Sequence, residues 1–116
     1  MPACLQVITT VPTRAHARRI SRELVRARLA ACVQVLGPIQ STYWWQGSIE
    51  QSSEWLCLVK TTRTRYNCLV RRLGELHPYD TPEILALSVA AGSRRYLRWL
   101  ATETSPSRTT RPEARR

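Results

Sequence analysis

The amino-acid sequence predicts one α+β domain with the order β-α-β-β-α-β and a short final helix. Its 116 residues, 43% of them apolar, suit a single hydrophobic core. Apolar residues alternate with period two in four segments and recur at helical spacing between them. Two of the strand-like segments are separated only by Gln46-Gly47, a tight-turn signal. We therefore place the domain at residues 1–104.

The first two elements follow from a change of period near Pro12. Residues 3–10 alternate as a strand, and Thr13 can cap the helix that follows. We predict a helix of about five turns, because small and apolar residues recur at steps of three and four. That stripe consists of Ala17, Ile20, Leu24, Ala27 and Ala31. Val25 and Leu29 fall beside it, and we expect them to contact a second subunit or to be scattered surface residues.

Residues 32–45 and 48–61 predict one long β-hairpin, with a bulge at Gly37-Pro38 in its first arm. A ribbon of this length extends beyond the region that the predicted helices can cover. It carries four large aromatic residues, Tyr43, Trp44, Trp45 and Trp55. Such side chains usually become buried in another chain, so we expect them at an oligomer interface. The alternative is an aromatic patch that caps the chain's own core.

The second half predicts a helix at 64–76, an apolar strand at 84–89 and a short helix around Tyr96 and Trp99. The complete order is that of the split β-α-β, ferredoxin-like fold, an antiparallel sheet with two main helices on one face. Pro78 and Pro82 stiffen the loop before the last strand.

The net charge of +10 is unevenly distributed. Residues 105–116 hold four arginines against one glutamate, and we predict a disordered basic tail there. Residues 14–28 hold six arginines against Glu23, spaced as a solvated helix face or an anion-binding stripe. Aromatic residues are not interleaved with them, which weighs against stacking on a single strand. We favour the solvated face and do not expect a nucleic-acid partner.

The compartment is also indicated by the sequence. No apolar run approaches the roughly 20 residues of a membrane span, so we expect no membrane partner. The first residues lack a basic signal-peptide region, which predicts a cytoplasmic protein.

The four cysteines, Cys4, Cys32, Cys57 and Cys68, have no CxxC spacing and are expected to be reduced thiols. Among them Cys32 is best placed to be a soft metal ligand.

Several segments then share composition and spacing with one known family: Leu29-Ala-Ala-Cys32-Val, Tyr43-Trp-Trp-Gln-Gly47, Glu54-Trp-Leu, Leu58-Val-Lys60-Thr61, Glu75-Leu-His77-Pro-Tyr79-Asp-Thr-Pro-Glu83-Ile and Tyr96-Leu-Arg-Trp99. Over roughly residues 4–101 the chain resembles the CutA divalent-cation tolerance proteins. The resemblance implies a cytoplasmic homotrimer of ferredoxin-like subunits with a role in divalent-metal, particularly copper, tolerance. In such a trimer the hairpin aromatics would lie between neighbouring subunits.

The resemblance also implies a trimer outline like that of the PII signalling proteins. A PII-like small-ligand sensor, binding in clefts between subunits, is therefore an alternative function. Five residues are candidates to line such a cleft: Lys60, Tyr79, Asp80, Glu83 and Trp99.

His77 and Cys32 are the candidate metal ligands, for copper or another divalent cation. Some bacterial proteins that the chain resembles carry Cys at the position of Thr9 and His at that of Leu76, so His77 alone of that set is present. The alternative is that His77 hydrogen-bonds a neighbouring strand or subunit. Asp80 and Glu83 have no accompanying nucleophile or phosphate-binding motif, and we expect no enzyme activity.

Overall fold

The computed structural model describes residues 3–106. The predicted tail lies outside the described residues, apart from its first two. The elements are β1 (Cys4–Val11), α1 (Arg14–Arg26), β2 (Cys32–Trp45), β3 (Ser48–Thr62), a 3₁₀ turn (Arg63–Arg65), α2 (Tyr66–Leu76), β4 (Leu85–Ser88) and α3 (Arg94–Glu103). The mixed α+β class and the order of the elements agree with the sequence pattern.

The four strands form one antiparallel sheet in the order β2-β3-β1-β4. Strand β3 thus lies between β1 and β2. The pairing of β1 with β3 runs from Cys4 opposite Thr62 to Val11 opposite Trp55. Because side chains alternate between the two faces of a strand, this register decides which residues can form the core.

The core lies between one face of the sheet and the helices α1 and α2. Val7 and Val59 are register partners on this face, and both are fully buried. Helix α1 buries Ala17, Ile20 and Leu24, and α2 buries Leu69, Leu73 and Leu76, each set at steps of three or four. Full burial of each large aliphatic side chain contributes about 1.5–3 kcal/mol.

Helix α1 is shorter than the predicted five turns, because the chain reverses after Ala27. Arg28 has φ of 61°, and the N–H groups of Arg28 and Leu29 donate to the carbonyls of Val25 and Leu24. This pair of bonds is the Schellman motif, which usually places glycine where Arg28 lies. The turn buries Leu29 in the core, and Val25 packs against it. The expectation of a surface position was therefore wrong for Leu29, whereas Val25 is half-buried and its contact with a second subunit stays a prediction.

The hairpin of β2 and β3 has the predicted bounds to within a residue. The register shifts between Leu36 and Ile39, which confirms the predicted bulge. Gln46 and Gly47 have φ of 49° and 82°, as a type I′ turn requires. Because β1 ends opposite Trp55, the ribbon of residues 39–54 continues beyond the rest of the sheet.

The second face of the sheet, which we call the open face, is turned away from α1 and α2. It consists of residues in register across the strands: Ile8, Leu36, Leu56, Leu58, Leu85 and Leu87. Leu36, Leu85 and Leu87 are exposed. The last strand was expected at 84–89 as part of the core, but β4 is an edge strand of four exposed residues. None of the described helices is long and apolar enough to cross a membrane.

Two glycines offer a matched test of this packing. A Cβ at Gly37 would lie 2.5 Å from ring carbons of Trp55, whereas a Cβ at Gly74 in α2 would meet no atom within 4 Å. We expect Gly37→Ala to lower the free energy of unfolding by about 1–3 kcal/mol through overpacking. Gly74→Ala should raise it by about 0.5–1 kcal/mol, because alanine is the better helix former. Urea unfolding at one fixed protein concentration measures both, and equal effects would contradict the predicted packing.

Candidate functional site

His77 lies at the end of α2, where the chain leaves the helix layer for the edge strand β4. Its Nε2 is 3.0 Å from Thr9 Oγ1 on β1, and the Tyr79 backbone N–H donates to its Nδ1 over 3.2 Å. Because Nδ1 accepts a hydrogen bond, the proton of the neutral ring is on Nε2, which donates to Thr9. Both ring nitrogens are therefore engaged inside the chain.

Burial keeps this imidazole neutral. His77 is buried, and the loss of solvation lowers its pKa below the ordinary value of 6.5, with the nearby charge of His16 acting in the same direction. A backbone hydrogen bond to Thr10 and the charge of Glu54 act in the opposite direction. The group is thus suited to hold neighbouring segments together near neutral pH.

Tyr79 makes the second attachment of the same loop. Its hydroxyl donates to Oε2 of Glu54 on β3 over 2.9 Å, and its ring lies 5.2 Å from the His77 ring. Burial and this hydrogen bond raise the pKa of Tyr79 to about 12, so the phenol stays protonated. We call the four residues Thr9, Glu54, His77 and Tyr79 the loop clamp, since they fix the proline-stiffened loop to β1 and β3.

A second polar cluster lies at the other end of the sheet. Lys60 Nζ donates to Oε1 of Gln6 over 2.8 Å and to Oε1 of Gln34 over 2.9 Å. These bonds connect β1, β3 and β2. Gln6 and Lys60 are register partners next to the buried pair Val7 and Val59, so they belong to the same side of the sheet as the open face.

The two candidate metal ligands do not meet within one chain. Cys32 pairs with Lys60, whereas His77 contacts Thr9, which is two strands away and three residues further along β1. Cys32 and Thr9 are therefore about 10 Å apart across the strands and about 10 Å apart along them. They also lie on opposite sides of the sheet. In the part of the chain that the structure describes, no three His, Cys, Asp or Glu side chains come together to hold a metal ion.

The candidate cleft residues are likewise separated within one chain. Lys60 lies at one end of the sheet and Tyr79 at the other, with Asp80 and Glu83 exposed on the same loop as Tyr79. Trp99 lies on α3, where its ring is 5.5 Å from that of Tyr96. It borders an open cavity of about 300 Å³ together with Arg95, Arg98, Thr102 and Glu103.

The hairpin aromatics divide into two groups. Tyr43, Trp44 and Trp45 are exposed, and Trp44 has 72% of its surface accessible. Trp55 instead packs against the chain's own core, with the Arg14 guanidinium 5.7 Å from its ring centre. For Trp55 the structure thus shows the alternative that the sequence left open, an aromatic residue that covers its own core.

Sequence reasoning missed Thr9 and Glu54 as partners of the loop. Thr9 lies in an alternating strand with no polar signal of its own, and Glu54 follows a polar stretch that reads as exposed, yet both are buried. The hint that the sequence offered was a carboxylate inside a predicted strand, directly before the strand turns apolar at Trp55.

These features define a small α+β protein with one helix-covered sheet face, one open apolar face and a hydrogen-bonded loop at one end of the sheet. Over residues 5–103 the sequence matches the family model described as CutA1 divalent ion tolerance protein. The chain therefore belongs to the CutA1 divalent ion tolerance protein family.

Individual relatives agree in both sequence and structure. The divalent-cation tolerance protein CutA of Thermus thermophilus is 47% identical over 98 residues, which cover 84% of this chain and 95% of that protein. A solved structure of the Cut A1 protein from the same organism has a TM-score of 0.86 at 45% identity, covering 88% of this chain and 99% of that one. The crystal structure of CutA1 from Oryza sativa has a TM-score of 0.88 at 33% identity, with coverage of 91% and 97%. These names give no support to the alternative of a PII-like sensor.

The loop clamp predicts a specific pH dependence of stability. Unfolded His77 takes up a proton below about pH 6.5, and the folded form resists it because its pKa is lowered. The stabilisation that the neutral His77 ring contributes is therefore complete above about pH 6.5. It is lost as the pH falls from there towards the pKa of His77 in the folded protein. We expect wild-type unfolding free energy to decrease with acidification between pH 7 and 5, by at most about 1.4 kcal/mol per pH unit from this group.

His77→Gln should be less stable at pH 7 and should show a shallower pH dependence, measured by urea unfolding across that range. His16→Gln is the control, because His16 lies on the first turn of α1 and its hydrogen bonds reach only Thr13. It should keep most of the wild-type slope, since burial and not the charge of His16 is the main cause of the lowered pKa of His77. If the two variants showed the same slope, the clamp would not be the group that titrates.

Proposed function

We propose that the chain acts as a cytoplasmic homotrimer of ferredoxin-like subunits in tolerance of divalent cations, copper in particular, by binding metal weakly and without catalysis. The observation that carries this proposal is the family match along residues 5–103. The two Thermus thermophilus relatives reported above are named for divalent-cation tolerance.

Self-association is supported by two exposed apolar surfaces. The open face presents Leu36, Leu85 and Leu87 to solvent in a single chain, and contiguous apolar patches of this kind usually mark interfaces. The ribbon of residues 39–54 pairs only with itself, and an isolated two-stranded ribbon is marginally stable in water. Packing the ribbon and the open face against other subunits would bury both.

The structure also bears on how metal would be bound. His77 can coordinate an ion only by giving up one of its two hydrogen bonds, which would leave Thr9 or the Tyr79 N–H without its partner. Cys32 is half-buried, and thiolate is the soft ligand that copper(I) prefers. We therefore place the weak copper contact at Cys32 and assign His77 a structural role.

The ribbon tip provides a test of trimer formation. Trp44 and Ile49 are register partners with exposures of 72% and 62%. We expect the double variant Trp44→Ala/Ile49→Ala to weaken the trimer at least about tenfold, since each large apolar side chain contributes about 1.5–3 kcal/mol when buried. Sedimentation velocity over a dilution series measures this.

A nearby exposed polar pair provides the control for that experiment. Thr42 and Gln51 are register partners two positions further from the turn than Trp44 and Ile49, on the same face of the ribbon. Their double alanine variant should keep the wild-type mass, about 40 kDa for three chains of 13.3 kDa. A wild-type chain that stays monomeric would contradict the proposed assembly.

Copper binding is tested by competition with a copper(I) chelator. Cys32→Ser should lower the affinity by about tenfold or more, since even the loss of a group that supports a metal ligand costs about that much. Cys68→Ser is the matched control, because Cys68 is the other half-buried thiol. His77→Gln should leave copper binding unchanged. An affinity lost in His77→Gln and kept in Cys32→Ser would reverse the assignment.

A further inference from the structure

The outer surface of the helix layer carries an unusual concentration of positive charge. Residues 14–28 hold six arginines and one glutamate, and residues 63–76 hold four arginines and one glutamate. Six of these arginines are exposed on α1 and α2. Arg14 lies over the Trp55 ring, and the other five define what we call the arginine face: Arg18, Arg19, Arg22, Arg26 and Arg71.

The carboxylates of the helix layer do not neutralise this face. Glu23 and Glu75 both bind Arg72, at 2.9 Å and 3.1 Å. Within residues 3–106, the five side chains of the arginine face form no ion pair. Four of the other described carboxylates, Glu50, Glu54, Asp80 and Glu83, belong to the hairpin and the loop instead. The positive charge of the arginine face is therefore concentrated on one surface and is not balanced by nearby carboxylates.

The arginine face is also held in a fixed shape. Arg72 on α2 reaches Glu23 on α1, and Arg65 Nε donates to the Arg28 carbonyl over 3.4 Å. These contacts hold the two helices side by side at two points. Along α1, Arg18, Arg22 and Arg26 follow one another at intervals of about 6 Å, because each residue of a helix rises 1.5 Å.

The residue types around the arginine face indicate which kind of partner it can bind. Among residues 3–106, every exposed large apolar residue lies between 36 and 49 or between 85 and 96, so neither α1 nor α2 carries one. A membrane-surface helix needs such residues to insert, and a single-strand binder needs aromatic rings for stacking. Protein interfaces likewise depend on apolar or aromatic anchors. Exposed guanidinium groups alone suit phosphates, which they bind in a bidentate manner.

We infer that the arginine face binds the phosphate backbone of double-stranded nucleic acid without sequence specificity. The sequence alone argued against a nucleic-acid partner because it lacks interleaved aromatics, but that objection applies to single strands. The helix layer is on the side of the sheet opposite the open face, so binding there is compatible with association through the open face.

Fluorescence anisotropy with a labelled 24-base-pair DNA duplex, between about 50 and 200 mM salt, tests the inference. The wild type should bind at the low end and lose affinity steeply with salt, since each phosphate contact contributes about 0.9 to the logarithmic slope. The triple variant Arg18→Gln/Arg22→Gln/Arg26→Gln should reduce that slope by about 2–3 and the affinity at ~100 mM salt by roughly a hundredfold. Its thermal unfolding and sedimentation should match the wild type.

Two variants of the full chain serve as controls for total charge. Arg94→Gln/Arg95→Gln/Arg98→Gln removes the same charge from α3, and a second variant replaces Arg108, Arg111, Arg115 and Arg116 with glutamine. Both should keep most of the wild-type slope. The inference fails if either control loses as much duplex affinity as the α1 variant, or if the wild type does not bind the duplex at about 50 mM salt. It also fails if a 24-nucleotide single strand or phosphatidylserine vesicles bind more tightly than the duplex.

Discussion

The hydrogen bonds of the His77 ring are the constraint on which the rest of the structure depends. Between Leu76 and Leu85 the chain must pass from the helix layer to the edge of the sheet, and β4 can pair with β1 only if this passage has a fixed course. The imidazole fixes it by binding β1 through Thr9 and the loop through the Tyr79 N–H. Because Tyr79 also binds Glu54, the same loop is tied to β3 at the base of the projecting ribbon.

That arrangement divides the molecule into surfaces with different chemistry. The sheet register places β4 so that Leu85 and Leu87 extend the apolar open face begun by Ile8 and Leu58. The opposite layer has its apolar residues turned inward and its arginines outward. The proposed self-association through apolar burial and the proposed binding through charge therefore use opposite sides of one sheet, and neither needs to disrupt the other.

Much of the fold could be predicted because it is encoded locally. The bounds of the hairpin follow from period two and from Gln46-Gly47, and the helical stripes identify the buried faces of α1 and α2. The end of α1 could not be predicted, since Arg28 occupies a left-handed position that usually signals itself by glycine. The separation of Cys32 and His77 within one chain could not be predicted for another reason: it depends on long-range register and on which face of the sheet each residue occupies.

The geometry at position 9 explains how a family named for divalent-cation tolerance can include a chain with this histidine in a structural role. Thr9 Oγ1 is 3.0 Å from Nε2 of His77, so the side chain at position 9 decides what the imidazole does. A hydroxyl accepts the ring proton and leaves the histidine as a buried hydrogen-bonding group. A cysteine there would place a soft thiolate beside the imidazole, and both are copper ligands. In this chain threonine turns the same pair of positions into a clamp, which is why the copper contact is proposed at Cys32 and not at His77.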